Sequence, residues 1–220
     1  MIFVAGISWI TNNKLGTACK KISGTYENRR DLYSQFKEKG IIQNNIKNFG
    51  RFDHVSKNTC LVISLTLYDA DISYLKDNMQ SVGILSTNEE DCLNSNIKYF
   101  KDYVDCGRKL SRGNLFIYTL PSTPIAEAAI NFGCQGPVAY FTFKKDQTNQ
   151  LLEQGRMMIE RKETTDLLLV NSSEDEAICF YLRKKNISSE NGNISLEKIQ
   201  KSLKNTPGLS EIINNISQKG

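Results

Sequence analysis

The sequence predicts an α/β domain built on a mixed five-stranded sheet covered by helices. Two observations carry this reading. Apolar runs of strand length, Ile2 to Ile10, Ser81 to Ser86 and Pro137 to Phe143, alternate with longer segments of helical periodicity, the pattern of strands joined by helical crossovers. Two further runs, Asp166 to Val170 and Ala177 to Arg183, are separated only by Asn171-Ser-Ser-Glu-Asp-Glu176, close enough to lie side by side. The order is therefore β-α-β-α-β-α-β-β.

Each element has a local cause. Ile2 to Ile10 is an apolar first strand, and the polar stretch after it, with Gly16 and Gly24, leads to a short helix from Arg30 to Lys39 that stops at Gly40. From Asp53 to Asp71, the residues Val55, Thr59, Val62, Ile63, Thr66, Leu67 and Ala70 form a broad stripe at helical spacing. The centre of this helix, Cys60-Leu-Val-Ile-Ser-Leu65, is apolar on nearly all sides, as suits a helix packed between layers. The compact strand Ser81 to Ser86 runs into Thr87-Asn-Glu-Glu90, a capping-box pattern that opens a helix with Leu93, Ile97, Phe100 and Val104 on its expected inner face. A helix from Thr123 to Asn131 turns Ile125, Ala128, Ala129 and Phe132 inward and ends at Gly133. The helix that follows the strand Pro137 to Phe143 buries Leu151, Leu152, Met158 and Ile159. Residues 1–185 read as the domain; 186–220 read as a polar C-terminal region with one weak helix, Ser195 to Lys204, and a mobile tail.

Composition excludes several functions. The net charge of +4 over 220 residues is far from the dense basic patches of nucleic-acid binders. No apolar run approaches the ~18 residues needed for a membrane span, and the apolar start lacks a basic segment and a cleavage site, so a cytoplasmic protein is expected. The six cysteines, Cys19, Cys60, Cys92, Cys106, Cys134 and Cys179, have no zinc spacing and read as small buried hydrophobes with free thiols. No metal and no cofactor is called for. The Asn-x-Ser sequons at Asn186 and Asn193 are expected by chance in an asparagine-rich chain. Arg112-Gly-Asn114 and Gly16-Thr17 are glycine turns without a phosphate-loop pattern.

One ordered set of motifs remains: Thr119-Leu-Pro-Ser-Thr-Pro-Ile-Ala-Glu-Ala-Ala-Ile-Asn-Phe-Gly-Cys-Gln-Gly-Pro137, a strand, a helix, and then Glu163-Thr-Thr-Asp-Leu-Leu-Leu-Val-Asn-Ser-Ser173. This order resembles the N-terminal half of a β-ketoacyl synthase, a member of the thiolase superfamily, and implies one half of the thiolase fold. In that family the strand after the Gly-Pro turn delivers a nucleophilic cysteine to the start of a buried helix, where unpaired N–H groups and the helix dipole stabilise a thiolate. Counting forward from Gly136-Pro137 puts that position at Lys145; counting back from Thr165-Asp166 gives Asp146. Neither is a cysteine. The two histidines that the family's second half contributes have no counterpart either, since the one histidine, His54, opens a helix of the first half. A Schiff-base role for Lys145 would need burial that its polar neighbours do not offer, and no G-x-S-x-G elbow exists for a serine nucleophile.

The resemblance thus implies a pseudoenzyme, similar to the chain-length factors that pair with an active synthase. It also implies an interface at Val138, Tyr140 and Thr142, because ketosynthases dimerise by pairing this strand across a two-fold axis. Ser122 and Thr123 of Leu120-Pro-Ser-Thr-Pro124 fall in a segment that lies near the acyl pocket in the family. A missing second half would leave a face uncovered, with the helix from Asp146 partly exposed through Glu153, Gln154 and Arg156. The expected partner is a ketosynthase or a second copy, with an acyl carrier protein as a further partner for basic groups such as Arg29-Arg30 and Arg183-Lys184-Lys185. Two alternatives stand beside it: a self-associating module that binds an acyl group or its carrier, and a half-enzyme completed in trans.

Overall fold

A computed structural model of the chain describes residues 2–74, 79, 81–109, 112–184, 194–203, 206 and 208–217. The chain begins with β1 (Ile2–Ile10), β2 (Lys14–Thr17), β3 (Ser23–Thr25), α1 (Arg29–Glu38) and α2 (His54–Asp69). It continues with β4 (Val82–Thr87), α3 (Leu93–Asp105), α4 (Gly113–Ile117), α5 (Thr123–Phe132), β5 (Val138–Tyr140) and α6 (Gln147–Glu160). It closes with β6 (Asp166–Ser172), β7 (Ala177–Lys184), β8 (Ile194–Ser195), α7 (Leu196–Leu203) and α8 (Leu209–Ser217). All strands join one mixed sheet in the order β3-β2-β1-β7-β6-β4-β5, with β8 paired to the start of β1. The parallel part is β6-β4-β5, and the remaining pairs are antiparallel.

The α/β architecture holds as the sequence predicts, with eight strands in place of five. The expected pair β6 and β7 is antiparallel over its full length, from Asp166 opposite Arg183 to Ser172 opposite Ala177. The additional strands are short. β2 and β3 lie in the stretch around Gly16 and Gly24, where glycine and polar residues mask strand character; a Cβ on Gly16 would strike the Trp9 ring. The strand expected from Pro137 to Phe143 pairs only over Val138–Tyr140, although the Phe141 N–H still donates to the Ser86 carbonyl at 2.8 Å.

Both faces of the sheet are covered. On one face α2 packs against β1, β6 and β7, with α1 and α5 behind it, around Leu61, Ile63, Leu65, Ile125 and Phe132. Twelve of the sixteen α2 residues are buried, as a helix between layers requires. On the other face α6, α7 and α8 meet Val4, Ile7, Leu169, Phe180 and Leu182. The tail expected to be mobile therefore contains a packed helix: Leu209, Ile212, Ile213 and Ile216 of α8 are buried at i, i+3, i+4 and i+7. The boundary between residues 185 and 186, Lys185, and the sequon asparagines Asn186 and Asn193 lie outside the described residues.

Two expectations for α3 are corrected. Thr87 ends β4 rather than capping a helix; Asn88 receives the Glu90 N–H at 2.9 Å and donates to the Asp91 carbonyl at 2.9 Å, and α3 starts only at Leu93. A short amide side chain has outcompeted the capping box for these backbone groups. The stripe Leu93, Ile97, Phe100 and Val104 points outward, not inward; Ser95 is the buried residue of α3 and donates to Asp53 at 3.1 Å.

The central joint of the domain is α2 against β1. Gly6 follows a register shift in β1 and has Thr66 O of α2 only 2.7 Å from where its Cβ would stand. Asp69, 2 % exposed, accepts from the backbone N–H groups of Ile7 (2.9 Å), Cys19 (3.2 Å) and Lys20 (2.7 Å). Asp69→Ala would leave the buried Ile7 N–H unpaired, at ~1–3 kcal/mol, and remove two further bonds from less buried donors, so it should destabilise the fold by about 3 kcal/mol in all. Denaturant unfolding, with circular dichroism to check that the native state forms, measures that loss.

Candidate functional site

Parallel strands β4 and β6 end beside the first turn of α6, and polar side chains tie the three together. Thr87 Oγ1 donates to Gln147 Oε1 at 2.6 Å, and Asn171 Nδ2 donates to Thr148 Oγ1 at 2.9 Å. Asp146 holds the N-cap position of α6 in the left-handed region, at φ 50° and ψ 46°. Its carboxylate accepts from Asn149 Nδ2 at 2.8 Å, and that amide also donates to the Leu203 carbonyl of α7 at 3.1 Å. A carboxylate suits this place, where the helix dipole favours negative charge. Lys145, one residue earlier, is exposed, and its carbonyl accepts from Gln150 Nε2 at 2.6 Å. Of the two positions reached by counting, Asp146 is the one at the helix start. Behind it, Asn149 Oδ1 and Asn171 Oδ1 are buried without a hydrogen-bond partner.

A narrow cleft lies at the same strand ends, between the start of α2 and the segment from Asn88 to Ser95. Its open interior of about 20 Å³ accommodates about one water molecule and no acyl chain. The loop Leu120-Pro-Ser-Thr-Pro124 lines it through Leu120, Pro121 and Pro124, not through Ser122 or Thr123. Ser122 is exposed at the start of α5, and Thr123 Oγ1 donates to the Ile117 carbonyl at 2.6 Å. His54 is exposed at the first turn of α2, after the N-cap Asp53.

Val138 and Tyr140 belong to β5, which pairs with β4 alone among the described strands and so forms one edge of the sheet. Val138 is 42 % exposed; Thr142 is exposed beyond the strand end. Tyr140 turns toward the cleft, donating to the Asp91 carboxylate and, at 3.3 Å, to the Asn88 carbonyl. Burial, reinforced by Asp91, pushes the Tyr140 phenol above its ordinary range.

None of the cysteines lies at the α6 start. Cys92, at the cleft, donates its thiol to the Thr119 carbonyl at 2.7 Å, and burial raises its pKa. Burial also pushes Cys134 and Cys179 up to about 12, and Cys19 to about 12 with help from the Asp69 charge; Cys60 is raised by the same cause. Burial thus disfavours the thiolate at these five cysteines. No group of three or more His, Cys, Asp and Glu that could hold a metal occurs among the described residues, and no described helix is long and apolar enough to cross a membrane.

The fold recurs in solved structures. The ishigamide ketosynthase/chain length factor superposes with a TM-score of 0.62 at 10 % identity, over 87 % of this chain and 64 % of that one. A β-ketoacyl synthase from Burkholderia phymatum STM815 gives 0.56 at 11 %, over 84 % and 59 %. The ketosynthase in complex with its chain length factor from Xenorhabdus doucetiae gives 0.51 at 12 %, over 67 % and 64 %. The chain has the ketosynthase fold. It spans less than two thirds of the length of these three structures. No protein-family model and no curated protein matches it.

Sequence reading misses the clasp around the α6 start. Its one visible signal is Asn171, an amide directly after the apolar run Leu167-Leu-Leu-Val170 of a buried strand. The thiol environments give a direct test. A native thiol titration at neutral pH should find one promptly reactive cysteine, the exposed Cys106, and the other five only after denaturation. Mass mapping of the alkylated residue checks the assignment.

Proposed function

We propose that this chain is a non-catalytic ketosynthase-like subunit that pairs with an active β-ketoacyl synthase in fatty-acid or polyketide-type biosynthesis. The observation that carries the proposal is the α6 start. On the resemblance to ketosynthases this is where the nucleophilic cysteine stands, and here it holds Asp146, with Asn149 bound to its carboxylate. A carboxylate at that turn keeps the favourable interaction with the helix dipole but lacks the nucleophilicity of a thiolate. The raised thiols elsewhere offer no substitute.

The β5 edge supports the pairing half of the proposal. The Phe141 N–H faces β4, so by alternation the Tyr140 N–H faces away from it, toward the open edge. Such an edge takes an added strand through main-chain hydrogen bonds, with side chains giving specificity. Two of the solved structures that share the fold carry a chain length factor in their names, one of them as a complex with its ketosynthase.

Affinity capture of the tagged chain from its native extract, read by mass spectrometry, should recover a β-ketoacyl synthase. Val138→Lys, which puts a charge on the edge without disturbing a buried residue, should abolish that recovery. Capture of no ketosynthase by the well-folded chain would sink the proposal. In a second test, Asp146→Cys should create a thiol that alkylates faster than Cys106, because the helix start lowers its pKa. The variant should still catalyse no condensation. If the thiol introduced by Asp146→Cys reacts as slowly as the buried cysteines, Asp146 does not hold the nucleophile position.

A further inference from the structure

The outward stripe of α3 has a geometry of its own. Leu93, Ile97, Phe100 and Val104 follow one another at steps of four, three and four, the spacing of a coiled-coil seam. They are between 39 % and 63 % exposed. Phe116, Ile117 and Leu120 extend the surface: Phe116 meets Tyr99 with ring centroids 5.6 Å apart, and Leu120 lines the same cleft as Leu93. At roughly half-exposure each, these seven side chains present on the order of 300 Å² of apolar surface, from ~60–120 Å² per fully exposed chain. Two such faces, with a polar rim, approach the ~1,200 Å² of the smallest stable interfaces.

Charge is divided between the two ends of the stripe. Glu89, Glu90 and Asp91 are exposed before α3. Lys101, Arg108 and Lys109 are exposed toward and beyond its end, where Asp105 is the opposing charge and Asp102 is taken by Arg112 at 2.7 Å. Lys98 is paired with Glu174 at 3.2 Å.

We propose that the α3 face binds a second copy of this chain, the two α3 helices packing antiparallel about a two-fold axis between Ile97 and Phe100. That axis sets Ile97 of each copy against Phe100 of the other and Leu93 against Val104, and it brings the acidic segment Glu89 to Asp91 of each copy to the end of the other that carries Arg108 and Lys109. Every apolar position then meets an apolar one, and each acidic end meets a basic end. An isologous contact of this kind is self-complementary, which a charge-divided stripe satisfies only in the antiparallel sense. The contact is separate from the β5 edge and leaves that edge free.

Sedimentation equilibrium of the full chain over a wide concentration range tests it. Wild type should dimerise, and Ile97→Glu with Phe100→Glu should be monomeric with an unchanged circular dichroism spectrum, both positions being more than half exposed already. Arg108→Glu should raise the dimer dissociation constant severalfold, and adding Glu89→Arg in the same chain should restore it. A chain monomeric at all concentrations overturns the proposal, as does a dimer that the Ile97/Phe100 variant leaves intact or a charge swap that fails to restore. Capture of a ketosynthase that Ile97→Glu abolishes and Val138→Lys spares would assign the α3 face to that partner instead and equally overturn it. Loss of ketosynthase capture by the wild-type chain alone bears on the proposed function and not on this contact.

Discussion

The close approach of α2 to β1 is the constraint on which the rest of the domain is built. It depends on small residues. Gly6 lets the helix backbone come near, and Ser8 fills the remaining space by donating to the Val62 carbonyl at 2.9 Å while contacting Thr66 Oγ1 at 2.5 Å. Further along, Thr59 and Ser172 hydroxyls meet at 3.0 Å, and Asn58 Nδ2 reaches the carbonyls of Ser173 and Glu174 at 2.8 and 3.0 Å. These buried polar groups are paired; unpaired, they would cost more than the packing gains. The helix is thereby fixed along its length to β1 and to the turn between β6 and β7. Those links set the height of the strand ends where the candidate site lies.

How much of this is legible follows from what each element depends on. β1, β4, β6 and β7 are long apolar runs buried on both faces, so their sequence alone separates them from loops. The same holds for α2 and α6, whose stripes exceed two turns. Short β2, β3 and β8 have too few residues to show alternation and are defined by their pairing, β2 and β8 with β1 and β3 with β2. The α3 stripe is legible as one apolar face, yet its direction is not. Periodicity states that residues share a side, and only tertiary packing states which side faces the core. The α8 spacing at Leu209, Ile212, Ile213 and Ile216 is present in the sequence but lies within a polar stretch that masks it.

The second sheet face is covered by this chain's own helices. Leu196, Ile199, Leu203, Leu209 and Ile213 occupy the sheet beside α6 and bury Val4, Phe180 and Leu182. Gly155 allows α6 to press onto Leu169, whose Cδ1 would lie 2.8 Å from an added Cβ. The α6 helix is consequently seated on the sheet and flanked by this chain's own α7, with its charged side, Glu153, Arg156 and Glu160, linked by ion pairs at 2.5 and 2.6 Å. Glu153, Gln154 and Arg156 are half-exposed, as expected of this helix, while its apolar side is covered by the sheet.

The β5 edge shows why partner choice cannot rest on main-chain pairing alone. Only Val138–Tyr140 form the strand, and the chain leaves the ladder beyond Phe141. Short edges are a common defence against indiscriminate strand addition, and three residues provide few hydrogen bonds to an incoming strand. Specific pairing at this edge, as proposed, therefore needs side-chain contacts around it: Val138 and Ile130 are exposed nearby, and Tyr140 is held in one orientation by Asp91. That same Asp91, in the left-handed region at φ 49°, closes the turn that leads into α3. The edge strand and the α3 seam are thus coupled through one short turn, so a contact that orders either surface would also restrain the other.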